Sequence, residues 1–174
     1  RSTAAHLNTL LNNAIFDELT GLHNSHYASI AATRKINELQ RHNMPLSLMI
    51  IDVDYLRQIN DSYGSSCGDA ILKKIAFALK ARIHQETNIA RWHGGSFFIL
   101  LPDTDPESMK LLADSIVEDI KQLSIEWNRA NIKATVTIGG ASWENDETLE
   151  ELISKANRAL FNGKRHGRDL YSAT

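Results

Sequence analysis

The sequence predicts an α/β fold in which helices surround a central, mostly antiparallel sheet. Three observations carry this. The run PLSLMIIDVD, residues 45 to 54, is too short and too apolar for a surface helix, and reads as a buried central strand over Leu46–Val53. The segments NIARW and SFFILLP flank Gly94 and Gly95 as the arms of a β-hairpin, with both glycines suited to positive φ. Around them the patterns follow the order βα, hairpin, αβαβ, which places helices on one sheet.

Each remaining element has its own signal. Leu7, Leu10, Leu11, Ala14 and Ile15 recur at helical spacing and make one apolar face. Two readings of that face stand together: a helix packing on its own domain, or the end of a connecting helix that dimerises and carries a signal from an upstream sensor. A second helix is expected from Ser25 to His42. NDSYGSSCGD reads as turn residues, with Asp69 opening a helix over Ala70 to Ile83. A long helix is expected from Pro106, well placed in a first turn, to Asn131. KATVTIGGAS reads as a strand, Thr148 to Gly163 as a helix, and DLYS as a short last strand.

Composition narrows the function classes. The 174 residues suit one domain with a substantial core, and 43% hydrophobic with 23% charged content is that of an ordinary globular protein. A net charge of -2 lacks the basic excess of a nucleic-acid binder, so no nucleic-acid partner is expected. The single cysteine, Cys67, excludes an internal disulfide and suits a reducing cytosol. No apolar run reaches the ~18 residues of a membrane span, so this domain is expected to make no membrane contact. No signal peptide is visible. The chain begins at Arg1 in helical pattern and reads as a fragment of a longer protein.

Several side chains could carry chemistry. Asp52 and Asp54 lie where the buried strand ends, next to an exposed carbonyl, which is a hard-oxygen site suited to Mg²⁺. Solvated turn residues or a helix cap explain the same pair. Arg57, Asn60 and Asp69 together could read a purine edge, since an ionised Asp accepts and Asn both donates and accepts. A turn residue at Asn60 and an N-cap at Asp69 are the plainer alternative. Lys164 and Arg168, in GKRHGRD, fall in or just after a helix's last turn. They are either favourable charges at a helix C-terminus or a clamp on a triphosphate.

The order of these pieces is more specific than any one of them. DELTGLHN at residues 17 to 24, DVDYLRQINDSYGSSCGD at 52 to 69, the glycine hairpin, VTIGGAS, and ANRALFNGKRHGRD at 156 to 169 form one series. The series resembles the GGDEF family, the diguanylate cyclase domains of bacterial signalling, from about Asp17 to Tyr171. The resemblance implies a palm-like fold of the nucleotidyl-cyclase kind, whose signature hairpin holds the active site. It divides the chain into the end of a connecting helix (residues 1–16) and a GGDEF-type domain (17–174). It implies Mg²⁺ with GTP as the cofactor pair, and two domains meeting to make cyclic di-GMP from two GTP. Position by position, Asp52 and the backbone carbonyl of Val53 would hold metal. Asn60 and Asp69 would hold guanine, and Arg57, Lys164 and Arg168 would hold phosphate. Arg57 stands for the family's usual lysine and Leu56 for its usual phenylalanine.

The signature itself departs from the family. Its pattern is Arg, one residue, GG(D/E)EF, then apolar residues to a proline. Aligned without gaps from Arg91 to Pro102, the five positions are His93, Gly94, Gly95, Ser96 and Phe97. Matching glycine to glycine instead gives Gly94 to Phe98. Both acids are missing either way. The RxxD product-inhibition site falls on His84 and Thr87, so no inhibitory site is expected. Ser25, Ser65 and Asn157 are smaller departures. The resemblance therefore implies a catalytically inactive, cytoplasmic bacterial module that binds GTP or another protein, within a longer homodimeric polypeptide. Its partner would be an EAL phosphodiesterase domain or an upstream sensor, and it could be the cytoplasmic portion of a membrane-anchored receptor. The alternative is a diguanylate cyclase of residual or unusual activity.

Overall fold

Strand β1 (Leu46–Val53) is the axis of the computed structural model, which describes residues 2–85 and 88–174. Every β1 residue but Asp52 is buried, as a strand covered on both faces requires. It pairs antiparallel with β3 (Ser96–Pro102) on one side and β6 (Val136–Ser142) on the other. β2 (Ile89–Arg91) and β7 (Leu170–Ala173) complete the order β2-β3-β1-β6-β7, with only β7 parallel to its neighbour.

Two-residue alternation along β1 splits the core. Met49, Ile51 and Val53, with Phe97 and Ile99, pack against α4 (Ser65–Arg82) and α5 (Pro106–Lys121). Leu46, Leu48 and Ile50, with Phe98 and Leu100, pack against α2 (Ser25–Leu39) and α6 (Leu149–Arg165). Asp52 continues this second face. The helix starts are capped by side chains: Asn24, Asp105 and Thr148 accept backbone N–H groups of α2, α5 and α6.

Four sequence expectations are corrected. The segment read as turns contains a helix, α3 (Leu56–Tyr63), and α4 begins at Ser65, so Asp69 lies inside it and does not cap it. The long helix from Pro106 ends at Lys121. The remainder to Asn131 is a two-stranded hairpin, β4 (Ile125–Trp127) and β5 (Ala130–Ile132). Asn128 and Arg129 take positive φ at its turn, and Ile125 and Trp127 pack on the core, which a continued helix would not permit. α2 stops at Leu39, short of His42. Of the paired glycines only Gly94 has positive φ. In α1 (Ser2–Ile15), Leu7, Leu10 and Leu11 are more than half exposed, so that face does not pack on its own domain.

Two features hold the sheet to what lies over it. Gly139 in β6 faces α6 so closely that a Cβ would lie 2.3 Å from both Ala156 O and Leu160 N. Asp54, just past β1 and 3% exposed, accepts hydrogen bonds from Thr135 Oγ1 and Thr137 Oγ1 at 2.6 Å each and from Asp169 N at 3.0 Å. It therefore joins β1, β6 and the α6–β7 connection.

Gly139→Ala should cost about 3 kcal/mol or more, since the obstructing atoms are backbone, and denaturant unfolding measures it. Asp54→Ala should cost about 2–3 kcal/mol by leaving one buried and two part-buried donors without their acceptor. An unchanged unfolding midpoint in either variant would contradict these assignments.

Candidate functional site

At the end of β1 the chain turns sharply into α3. Tyr55 makes the turn in the left-handed region, φ 57°, a conformation that costs a side-chain-bearing residue of order 1–3 kcal/mol. Neither Asp52 nor Asp54 caps α3: Tyr55 is the cap residue, with no side-chain cap bond. Arg168 and Asp169 are also left-handed, φ 64° and 53°, in the connection that Asp54 anchors. These turns bring the guanidinium of Arg168 over the Tyr55 ring, 4.8 Å from its centroid. Beside these turns lies a cleft of about 380 Å³ whose lining includes Asp52, Val53, Tyr55, Leu56, Arg57, Asn60, Gly95 and Arg168.

Lys164 reaches the cleft through Asp52. Asp52 shares the α6-facing side of β1, and Lys164 lies in the last turn of α6. Its Nζ forms an ion pair with Asp52 Oδ2. Asn60, on α3, lies over Gly68 of α4, whose missing side chain makes the room: a Cβ there would meet Asn60 Oδ1 at 1.8 Å. Asn60 Oδ1 is buried without a hydrogen-bond partner. Asp69, one residue beyond Gly68, is exposed and does not line the cleft itself. The structure thus gathers Asp52, Val53, Arg57, Asn60, Lys164 and Arg168, and leaves Asp69 beside the group.

The hairpin occupies the opposite rim. Ser96 is the β3 partner of Asp52, so the two side chains share one face, whereas Phe97 is fully buried on the other. This placement favours the gapless alignment, with Ser96 at the second acid position. The Ser96 hydroxyl is used locally: Oγ donates to His93 O at 2.6 Å and accepts from His93 N at 2.9 Å. Gly95, at the first acid position, lies against Leu56, where a Cβ would come 2.6 Å from Cδ2. Gly94 turns the chain and its carbonyl accepts from Arg91 Nε at 2.8 Å and Nη2 at 2.5 Å. The third nitrogen of Arg91 reaches Asp17 Oδ2 at 3.4 Å, which ties the first motif, residues 17 to 24, to the hairpin. His93 is exposed at the tip beside Trp92.

As a metal site the donor set is short. One carboxylate, already paired with Lys164, and one backbone carbonyl remain, and Ser96 is engaged in its turn. Among the described residues no group of three or more His, Cys, Asp or Glu could hold a metal. The set does not fit a metal pair of the phosphoryl-transfer type, which needs carboxylates between the ions. Sequence reasoning missed Tyr55 and Arg91 as parts of the site. A left-handed tyrosine carries no sequence signal, and Arg91 was legible only as a match to the signature. Of the two inhibitory-site positions, His84 is exposed and Thr87 lies outside the described residues. Among the described residues no helix is long and apolar enough to cross a membrane.

Comparison with known proteins places this geometry. The family described as "Diguanylate cyclase, GGDEF domain" matches residues 14–170. Diguanylate cyclase DgcP of Pseudomonas aeruginosa is 32% identical over 165 residues, 95% of this chain and 25% of that protein. Diguanylate cyclase DosC of Escherichia coli is 31% identical over 154 residues, 88% of this chain and 34% of that protein. The chain thus spans a quarter to about a third of the length of these relatives. Among solved structures, diguanylate cyclase SiaD of Pseudomonas aeruginosa, determined with its activator SiaC, superposes with TM-score 0.88 at 27% identity, over 99% of this chain and 67% of that one. The coiled coil and GGDEF domain of DgcB from Caulobacter crescentus, in complex with c-di-GMP, shares the fold with TM-score 0.89 at 22% identity, over 99% of this chain and 92% of that one. From the five ordered motifs, the palm-like sheet and the family match over most of its length, this chain belongs to the GGDEF domain family.

Proposed function

We propose that this chain is a catalytically silent GGDEF module of cyclic di-GMP signalling that binds GTP and passes its occupancy to a neighbouring domain. The observation that carries the reading is the hairpin. Gly95 has no side chain to offer, and Ser96 spends its hydroxyl closing the turn. Loss of one preorganised catalytic group typically costs roughly 10²–10³ in rate, and here two are gone. The nucleotide side of the cleft keeps its polar residues. Asn60, with its unpartnered oxygen, and Asp69 would meet guanine; Arg57, Lys164 and Arg168 would meet phosphates. No resident Mg²⁺ is part of this proposal.

The expected setting is a longer cytoplasmic protein in which residues 1–16 end a connecting helix and 17–174 form the domain. Its partners would be a second copy and an EAL or sensor domain of the same polypeptide. A second reading, an interaction or dimerisation module whose pocket is a relic, is favoured by the exposed Leu7, Leu10 and Leu11. A third, a working cyclase, is favoured by the names of the relatives.

Calorimetric titration separates these readings. GTP should bind in the micromolar range and ATP should not. The double change Asn60→Ala with Asp69→Ala should abolish the heat, and guanine-independent binding would sink the reading. Incubation with GTP and Mg²⁺ or Mn²⁺, read by chromatography, should yield no cyclic di-GMP; product abolished by Asp52→Ala would establish the third reading instead. Gly95→Glu with Ser96→Glu should not restore synthesis, because the first collides with Leu56 and the second removes the turn's closing bonds.

A further inference from the structure

The short donor set at Asp52 has a consequence for how GTP is held. We infer that the cleft takes GTP as the metal-free triphosphate, with Lys164, Arg168 and Arg57 doing what a divalent cation does elsewhere. The inference rests on the reading of this chain as a GTP-binding module.

The ion pair between Lys164 Nζ and Asp52 Oδ2 is its centre. A divalent cation at this end of β1 needs excess negative charge from protein oxygens before it gives up its hydration water. Ser96, which shares the Asp52 face, brings none. The one carboxylate of the cleft is already neutralised by an ammonium, so a cation entering there must compete with Lys164 for it. Around the cleft stand three cationic side chains against one carboxylate, which leaves two positive charges for an anion.

The cations are also arranged for phosphate. Arg168 is held by its stacking on Tyr55 and by a left-handed backbone pinned through Asp169 to Asp54, so its fork is presented with little freedom left to lose. Lys164 is a point charge on a flexible stem at the end of α6, able to turn from Asp52 to a phosphate oxygen as the triphosphate arrives. Arg57 is exposed on α3 at the cleft's outer edge. Loss of the second acid then does more than stop chemistry. It converts a site that would bind a metal–nucleotide complex into one that binds the bare polyanion.

The test is calorimetry of the intact chain with GTP in EDTA and again in excess Mg²⁺. Metal-free GTP should bind at least as tightly as its Mg²⁺ complex, with Lys164→Met weakening metal-free binding by about tenfold or more and Lys164→Arg retaining most of it. Thermal unfolding of each variant verifies that it is folded. Binding seen only with Mg²⁺ overturns the inference while leaving the GTP-module reading intact. Wild-type affinity in Lys164→Met without metal also overturns it, since the ammonium would then not be the replacement. Absence of binding under both conditions removes the GTP-module reading and the inference with it.

Discussion

The site depends on one buried carboxylate. Asp54 gathers hydroxyls from Thr135 and Thr137 and the backbone N–H of Asp169, so the end of β1, the start of β6 and the turn after α6 meet at one point. A buried acceptor of this kind is unfavourable unless its hydrogen bonds are made, and here the three come from two distant places, the start of β6 and the turn after α6. That requirement fixes where Asp52 and Arg168 stand, because Asp52 lies two residues before Asp54 and Arg168 immediately precedes Asp169. The polar end of the cleft follows from satisfying Asp54, together with the Lys164–Asp52 ion pair and the Arg168–Tyr55 stack.

The hairpin illustrates how a site adjusts when its acids are gone. Without a carboxylate at position 96 the small hydroxyl folds back onto His93 and tightens the turn. At position 95, Leu56 occupies the volume that a side chain would take. Arg91 grips the Gly94 carbonyl and reaches Asp17, so the loop is braced against the rest of the domain. The hairpin keeps its backbone shape although neither position 95 nor position 96 carries a carboxylate. Packing and hydrogen bonding have filled the space, which is why replacing the two missing residues alone would disturb local structure.

Much of the fold was legible because it rests on local periodicity and local turn chemistry. The apolar run of β1, the helix starts near Ser25, Pro106 and Thr148, and the strands either side of Gly94 are set by neighbours a few residues away. Where the reading failed, a longer-range demand had overruled a local one. Leu56, Ile59 and Tyr63 have helical spacing, but the polar residues between them read as turn. The helix forms because Leu56 and Ile59 find the core. Beyond Lys121 the alternation of Leu123, Ile125 and Trp127 was present, and it is their packing against the core that ends α5 and builds β4 and β5.

By itself the sequence determined the family, the sheet's central strand and the absence of any acidic residue from Arg91 to Pro102, since each is a matter of which residue type stands where in an ordered series. It also named nearly all the cleft residues, though only as separate fragments. Tertiary structure decided what those residues do to one another. That Lys164 pairs with Asp52, that Arg168 lies on Tyr55, that Asn60 sits over Gly68 with an unmet oxygen, and that Ser96 shares a face with Asp52 all depend on contacts between distant segments. Such contacts are set by strand register and helix packing across the whole core, and no local pattern in the chain encodes them.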